Sequence, residues 1–139
     1  MRLTGKKIAI LLAEGVEDLE FYVPMMRLQE EGAEVLAAGL DMKAVRGKNG
    51  LEIKPTTTIA DLNPDELYAL ILPGGWAPDK LRRYPVVIEL VQKIHAAGAG
   101  RDGLDAGPLR RSPAAVRAVR RRRGGGNRHA LAGRTAGQP

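Results

Sequence analysis

The chain predicts an α/β fold: a parallel sheet with flanking helices, carried by residues 1–98 and incomplete after them. Three observations predict it. Its longest apolar runs, Ile8 to Ala13 and Leu67 to Leu72, are continuous rather than alternating, the pattern of strands covered on both faces. Between the strand-like segments lie stretches with apolar residues at helical spacing. After Gly98, where such a sheet requires another strand, the sequence reads Ala99-Gly100-Arg101-Asp102-Gly103, which has no strand character.

Taken in order, Lys6-Lys7 leads into the first buried strand. After a turn at Glu14-Gly15-Val16-Glu17, Leu19, Tyr22, Val23 and Met26 recur at i, i+3, i+4 and i+7. This spacing predicts a helix to about Glu31 with those residues on its inner face, closed by Gly32. Pro24 removes one backbone donor inside it and is expected to bend it. Ala33 to Ala38 is the second strand, which completes a β-α-β unit with a right-handed crossover. Residues 44–54 read as a hairpin, with Asn49-Gly50 in a type I′ turn and Leu51 and Ile53 on one face. Asn63-Pro64 opens a short helical turn, and Leu67 to Leu72 is the next buried strand, ending at Pro73-Gly74-Gly75. A last helix follows Pro85, with Val87, Leu90, Val91 and Ile94 inward and Gly98 at its end.

The formal net charge of +6 conceals two unlike halves. Residues 1–98 hold twelve Lys+Arg against fourteen Asp+Glu, a net −2. Residues 99–139 hold ten Arg and two acids, a net +8, and no Lys, Glu, Ile, Met, Phe, Tyr or Trp. A segment so poor in large apolar residues cannot offset the entropy of ordering it, and is expected to be disordered. With no cysteine, disulfides and thiolate metal sites are excluded. No secretory signal and no apolar run of about 20 residues is visible, so the expectation is a cytoplasmic protein without membrane contact.

Ligands of open parallel sheets collect at the carboxyl ends of the strands, where two loops qualify. Glu14-Gly15-Val16-Glu17-Asp18 places three carboxylates beyond the first strand. They suit a general base or the partner of a nucleophile, and equally the offsetting of a helix dipole, which is the commoner role. Leu72-Pro73-Gly74-Gly75-Trp76 offers backbone N–H groups as an oxyanion hole requires, or simply makes a tight strand-to-helix turn. The glycine pattern matches neither nucleotide-binding loop. His95 fits a helix C-terminus and His129 has no partner in the sequence; neither suggests a triad or a metal site.

Taken together, Ile8 to Glu20 (IAILLAEGVEDLE), Arg27 to Val35 (RLQEEGAEV) and Leu70 to Asp79 (LILPGGWAPD) resemble the PfpI (ThiJ/PfpI) family. These are intracellular cysteine hydrolases of the class I glutamine amidotransferase-like superfamily. The resemblance covers about residues 6–98 and implies a flavodoxin-like sheet, no cofactor, a small-molecule or protein substrate, and assembly into dimers or hexamers. Its members are described as peptidases or as protein deglycases. By resemblance, Glu17 stands where the family's glutamate hydrogen-bonds the nucleophilic thiol, and Gly74 and Gly75 stand in the loop lending N–H groups to the oxyanion hole. The family's cysteine and adjacent histidine fall near Asp105 and Ala106, neither of which can act as a nucleophile. Ser112 and Thr56 to Thr58 are not placed to replace it. The resemblance therefore implies a hydrolase of this family by descent that is inactive as this polypeptide.

Two further functions come from the same sequence. Arg117 to Gly126 (RAVRRRRGGG) suits nonspecific phosphate binding to nucleic acid, but lacks the aromatic residues that stack on bases. A non-catalytic flavodoxin-like binding module is the other. The tail also has the composition of a shifted reading frame in GC-rich DNA. Residues 99–102, written GCC-GGT-CGC-GAC and re-read one base on, give Pro-Val-Ala-Thr, which resembles the strand preceding the family's nucleophile. The same re-reading gives no Cys-His beyond Gly103.

Overall fold

The computed structural model describes residues 2–98 and 117–120. Strands β1 (Lys7–Leu11), β2 (Glu34–Gly39), β5 (Thr57–Thr58), β6 (Leu67–Leu72) and β7 (Arg117–Arg120) form one sheet in the order β5-β2-β1-β6-β7. The first four run parallel, with Ile10 level with Ala37 on one side and Ile71 on the other. Between β2 and β5, β3 (Val45–Arg46) and β4 (Glu52–Ile53) form a separate antiparallel hairpin. The helices are α1 (Asp18–Glu30), α2 (Ala77–Leu81) and α3 (Pro85–Gly98).

The continuous apolar runs behave as their pattern demands. Ile8, Ala9, Ile10, Leu11, Leu12, Leu67 and Leu70 are all buried, which only a sheet covered on both faces allows. The crossover to β2 begins at a C-terminal cap on α1: Gly32 N donates to Gln29 O and Ala33 N to Leu28 O, satisfying two carbonyls the helix leaves open. On α3, Val87, Leu90 and Ile94 are buried and Val91 packs against the core, as their spacing predicts.

Two expectations are corrected. Leu19, Val23 and Met26 lie on the exposed side of α1; the inner face is Asp18 and Phe21, with Tyr22, Met25 and Leu28 partly buried. The helix carries two apolar stripes at helical spacing, and the sheet accepts the one bearing Phe21. In the hairpin, Val45 pairs with Ile53 and Arg46 with Glu52, so residues 47–51 connect the strands in place of a two-residue turn. The loop is wider because its backbone is engaged by the β1–α1 loop and the first residue of α1: Lys48 N donates to Val16 O and Asn49 N to Asp18 Oδ2. Leu51 is accordingly exposed while Ile53 is buried. Residues Ala77–Leu81 add the short helix α2, which no sequence pattern announces. The expected disorder of residues 99–139 falls outside the described residues except at Arg117–Arg120, which form β7 antiparallel to β6. Main-chain pairing needs no apolar side chain, so a composition poor in apolar residues does not forbid it.

Candidate functional site

The register that sets Ile10 beside Ile71 brings the carboxyl ends of β1 and β6 together, so the two loops singled out from the sequence meet. Glu17 N donates to Gly74 O (3.1 Å) and Trp76 N to Gly15 O (2.8 Å), a short antiparallel pairing of Val16 with Gly75. Gly75 is obligatory here. Its φ is +80°, and a Cβ would lie 2.4 Å from Gly15 O and 2.7 Å from Glu17 N, both main-chain atoms. Trp76 packs against Gly15 yet remains 60% exposed on the rim of this stitched pair.

The carboxylates of the first loop and first helical turn separate into distinct roles. Glu14 Oε1 accepts from Arg46 N (3.1 Å). Glu17 Oε1 accepts from Asn49 Nδ2 (2.7 Å), and its other oxygen lies 4.0 Å from Lys48 Nζ. Its side chain thus turns to the hairpin, while its main-chain N–H is what reaches Gly74. Glu20, one helical turn on, sends its carboxylate to the glycine loop: Oε2 accepts the Gly74 N–H. That amide, which the resemblance assigns to an oxyanion, is engaged by Glu20. The sequence reading passed over Glu20. The usable signal was spacing, since residues 17 and 20 neighbour each other on a helix, and a glycine at 74 leaves room for the Glu20 carboxylate.

Asp18 is the buried member, 1% exposed. Its Oδ2 accepts from Asn49 N (2.7 Å) and its Oδ1 from Leu51 N (2.9 Å). Gly47 is the close-approach position that permits this, because a Cβ there would sit 2.2 Å from Asp18 Oδ1. Burial pushes the Asp18 carboxyl up. The N–H groups of Asn49, Leu51 and Asp18 itself, with the Asn49 side chain, outweigh burial and hold it below its ordinary value. Asp18 therefore remains an anion that fastens the hairpin to the start of α1.

Chemically, the arrangement offers one carboxylate, Glu20, at the carboxyl end of β6, with a stitched glycine loop beside it. A carboxylate at a strand end suits a general base or the partner of a nucleophile. No described residue supplies a nucleophile there. The Thr56 hydroxyl is spent on the Ala37 backbone at the β2 side of the sheet, and His95 lies in the last turn of α3. The positions near Asp105 and Ala106, Ser112 and His129 lie outside the described residues.

Residues 6–101 match the model of the DJ-1/PfpI family. The chain belongs to the DJ-1/PfpI family. Among its relatives, the deglycase PfpI of Pyrococcus furiosus is 40% identical over 92 residues, 66% of this chain and 55% of that protein. The candidate cysteine protease YraA of Bacillus subtilis is 40% identical over 79 residues, 56% of this chain and 47% of that one. The chain thus spans about half the length of the curated relatives it matches. A two-domain protein of Anabaena variabilis, with a DJ-1/ThiJ/PfpI-like and a ferritin-like domain, superposes with TM-score 0.65 at 39% identity, over 67% of this chain and 27% of that one. Drosophila melanogaster DJ-1β gives 0.64 at 28% identity, over 68% and 52%. The DJ-1/PfpI fold therefore accounts for the parallel part of the sheet, β5-β2-β1-β6. Among the described residues, no helix is long and apolar enough to cross a membrane.

Proposed function

We propose that this DJ-1/PfpI chain carries the acid and glycine-loop half of a cytoplasmic cysteine hydrolase site, of the deglycase or peptidase kind its relatives are named for, without the nucleophile. It is therefore catalytically silent as this polypeptide. The observation that carries the reading is the Glu20 carboxylate on the Gly74 N–H at the strand end, in a chain with no cysteine. Acyl-transfer chemistry of this type requires a thiolate. In this reading Glu20 fills the thiol-partner role that the resemblance gave to Glu17, because the Glu17 carboxylate is directed at Asn49.

Two experiments test it. The purified protein is expected to show no thiol-dependent turnover of methylglyoxal-modified arginine or of a fluorogenic peptide; turnover abolished by Glu20→Gln overturns the silence. Nitrogen-15 NMR separates the two glutamates. The Gly74 amide resonance should move in Glu20→Gln, which removes the carboxylate it donates to, and stay in place in Glu17→Gln; the reverse pattern restores Glu17 to the role. The tail after residue 98 is read as the product of a shifted reading frame. Sequencing the DNA beyond codon 98 tests this: an alternate frame must encode a strand followed by Cys-His.

A further inference from the structure

Strand β6 reads Leu-Tyr-Ala-Leu-Ile-Leu and contains no charge. One of its edges is taken by β1. An uncharged, apolar strand with its second edge open is a template for pairing with any extended chain it meets. That edge is covered over Ala69–Leu72 by β7, antiparallel, with Ala69 level with Arg120 and Leu72 level with Arg117. The covering strand is four residues long, begins and ends in arginine, and is followed in sequence by Arg121, Arg122 and Arg123. Short length and clustered positive charge are the means by which outermost strands discourage further pairing.

We propose that Arg117–Arg120 is an intramolecular edge cap, and that the β6 edge beneath it is a strand-pairing site whose competing occupant is β6 of a second copy of this chain. Antiparallel pairing of two β6 edges about a two-fold axis sets no charge against charge and forms a self-complementary interface. Pairing two capped molecules through β7 would bring arginine against arginine. The cap belongs to the same chain, joined in sequence to α3 by residues 99–116, so it competes for the edge as an intramolecular strand at an effective concentration on the order of millimolar. At ordinary protein concentrations the cap therefore excludes the second copy. This assigns a role to the arginines that the hydrolase reading leaves unused, and holds however the segment arose.

The test uses the full chain with Ala118→Pro and Val119→Pro together. Successive N–H groups of a strand point to opposite sides, so one of the two prolines removes a donor facing β6. Amide hydrogen exchange at Ala69–Leu72 is followed against Ile8–Leu11 as reference, with mass by light scattering over a roughly hundredfold concentration range. The expected result is exchange at least about tenfold faster at β6 in dilute solution, reference amides unchanged, and a rise in mass with concentration that restores β6 protection. Unchanged exchange at β6, or an opened β6 that never gains mass, overturns the proposal. A second variant, Ala69→Cys with Arg120→Cys, stands independent of whether the proline variant folds. In this cysteine-free chain, mild oxidation should link the pair within one molecule and hold the protein at monomer mass over the same concentration range. A link formed only between molecules, or none, overturns it.

Discussion

The hairpin of β3 and β4 and the strand β7 are both short additions to a parallel sheet, held in different ways. The hairpin has two main-chain bonds to the loop after β1, Lys48 N to Val16 O and Gly15 N to Arg46 O, and is otherwise fastened by side chains. Asp18 takes two of its N–H groups, Glu14 takes a third, Glu17 holds the Asn49 amide, and the Tyr22 hydroxyl donates to Glu52 O. β7 is paired through its main chain, four residues level with Ala69–Leu72. Attachment through specific side chains leaves a trace in the sequence and concentrates energy at single positions. Main-chain attachment spreads it over the ladder and makes it nearly independent of residue type.

The largest effect expected from this contrast is at Asp18. Asp18→Ala leaves the Asn49 and Leu51 N–H groups without their acceptor, at a cost of about 2–4 kcal/mol. That amounts to a fall in melting temperature of roughly 4–8 °C per kcal/mol for a domain of this size. Urea unfolding followed by far-UV circular dichroism reads it, and a loss below about 1 kcal/mol would remove the distinction between the two regions. Gly75→Ala comes next, at about 1–3 kcal/mol, because its Cβ meets two main-chain atoms that have no rotamer to retreat into. Detachment of the loop should appear as faster exchange of the Glu17 and Trp76 amides.

Acid reads the same latch more gently. The Asp18 carboxyl is held below its ordinary value of 3.8 when folded. Its contribution is therefore full above that unfolded value and is lost as pH falls through the lower folded one. Stability plotted against pH should decline at the acid end, and Asp18→Asn should flatten that limb while lowering the plateau. The smallest effect is expected on β7: Arg120→Ala keeps every main-chain donor and acceptor and should shift stability by under about 0.5 kcal/mol. A larger loss would mean that side chains fasten this strand too.

What the sequence disclosed follows the same division. Strands β1 and β6 and the inner face of α3 were legible because burial on a sheet imposes continuous or helical apolar patterns that little else produces. The inner face of α1 was not. Leu19, Val23 and Met26 have the spacing of a buried stripe, and only docking on the sheet selects Phe21 over them. At the site, the two loops were legible from the strand-end rule, but sequence order does not say which way a carboxylate turns. Glu17 and Glu20 differ by one helical turn, and it is Asn49, a residue from the hairpin, that draws Glu17 aside. Short elements such as α2 and β7 carry too few residues for any periodicity to register.

The position of Trp76 has a practical consequence. It is the sole tryptophan of the chain, and it stands on the stitched loop rather than in the core, more exposed than buried. Intrinsic fluorescence of this protein therefore reports on the junction of the β1 and β6 loops. Its native emission should already be red-shifted, and a quencher such as iodide should reach it in the folded state. Released from Gly15, the indole would lose its fixed orientation and its emission anisotropy would fall while the sheet still stood. The protein thus carries its own optical probe at the point where its two strand-end loops are stitched together.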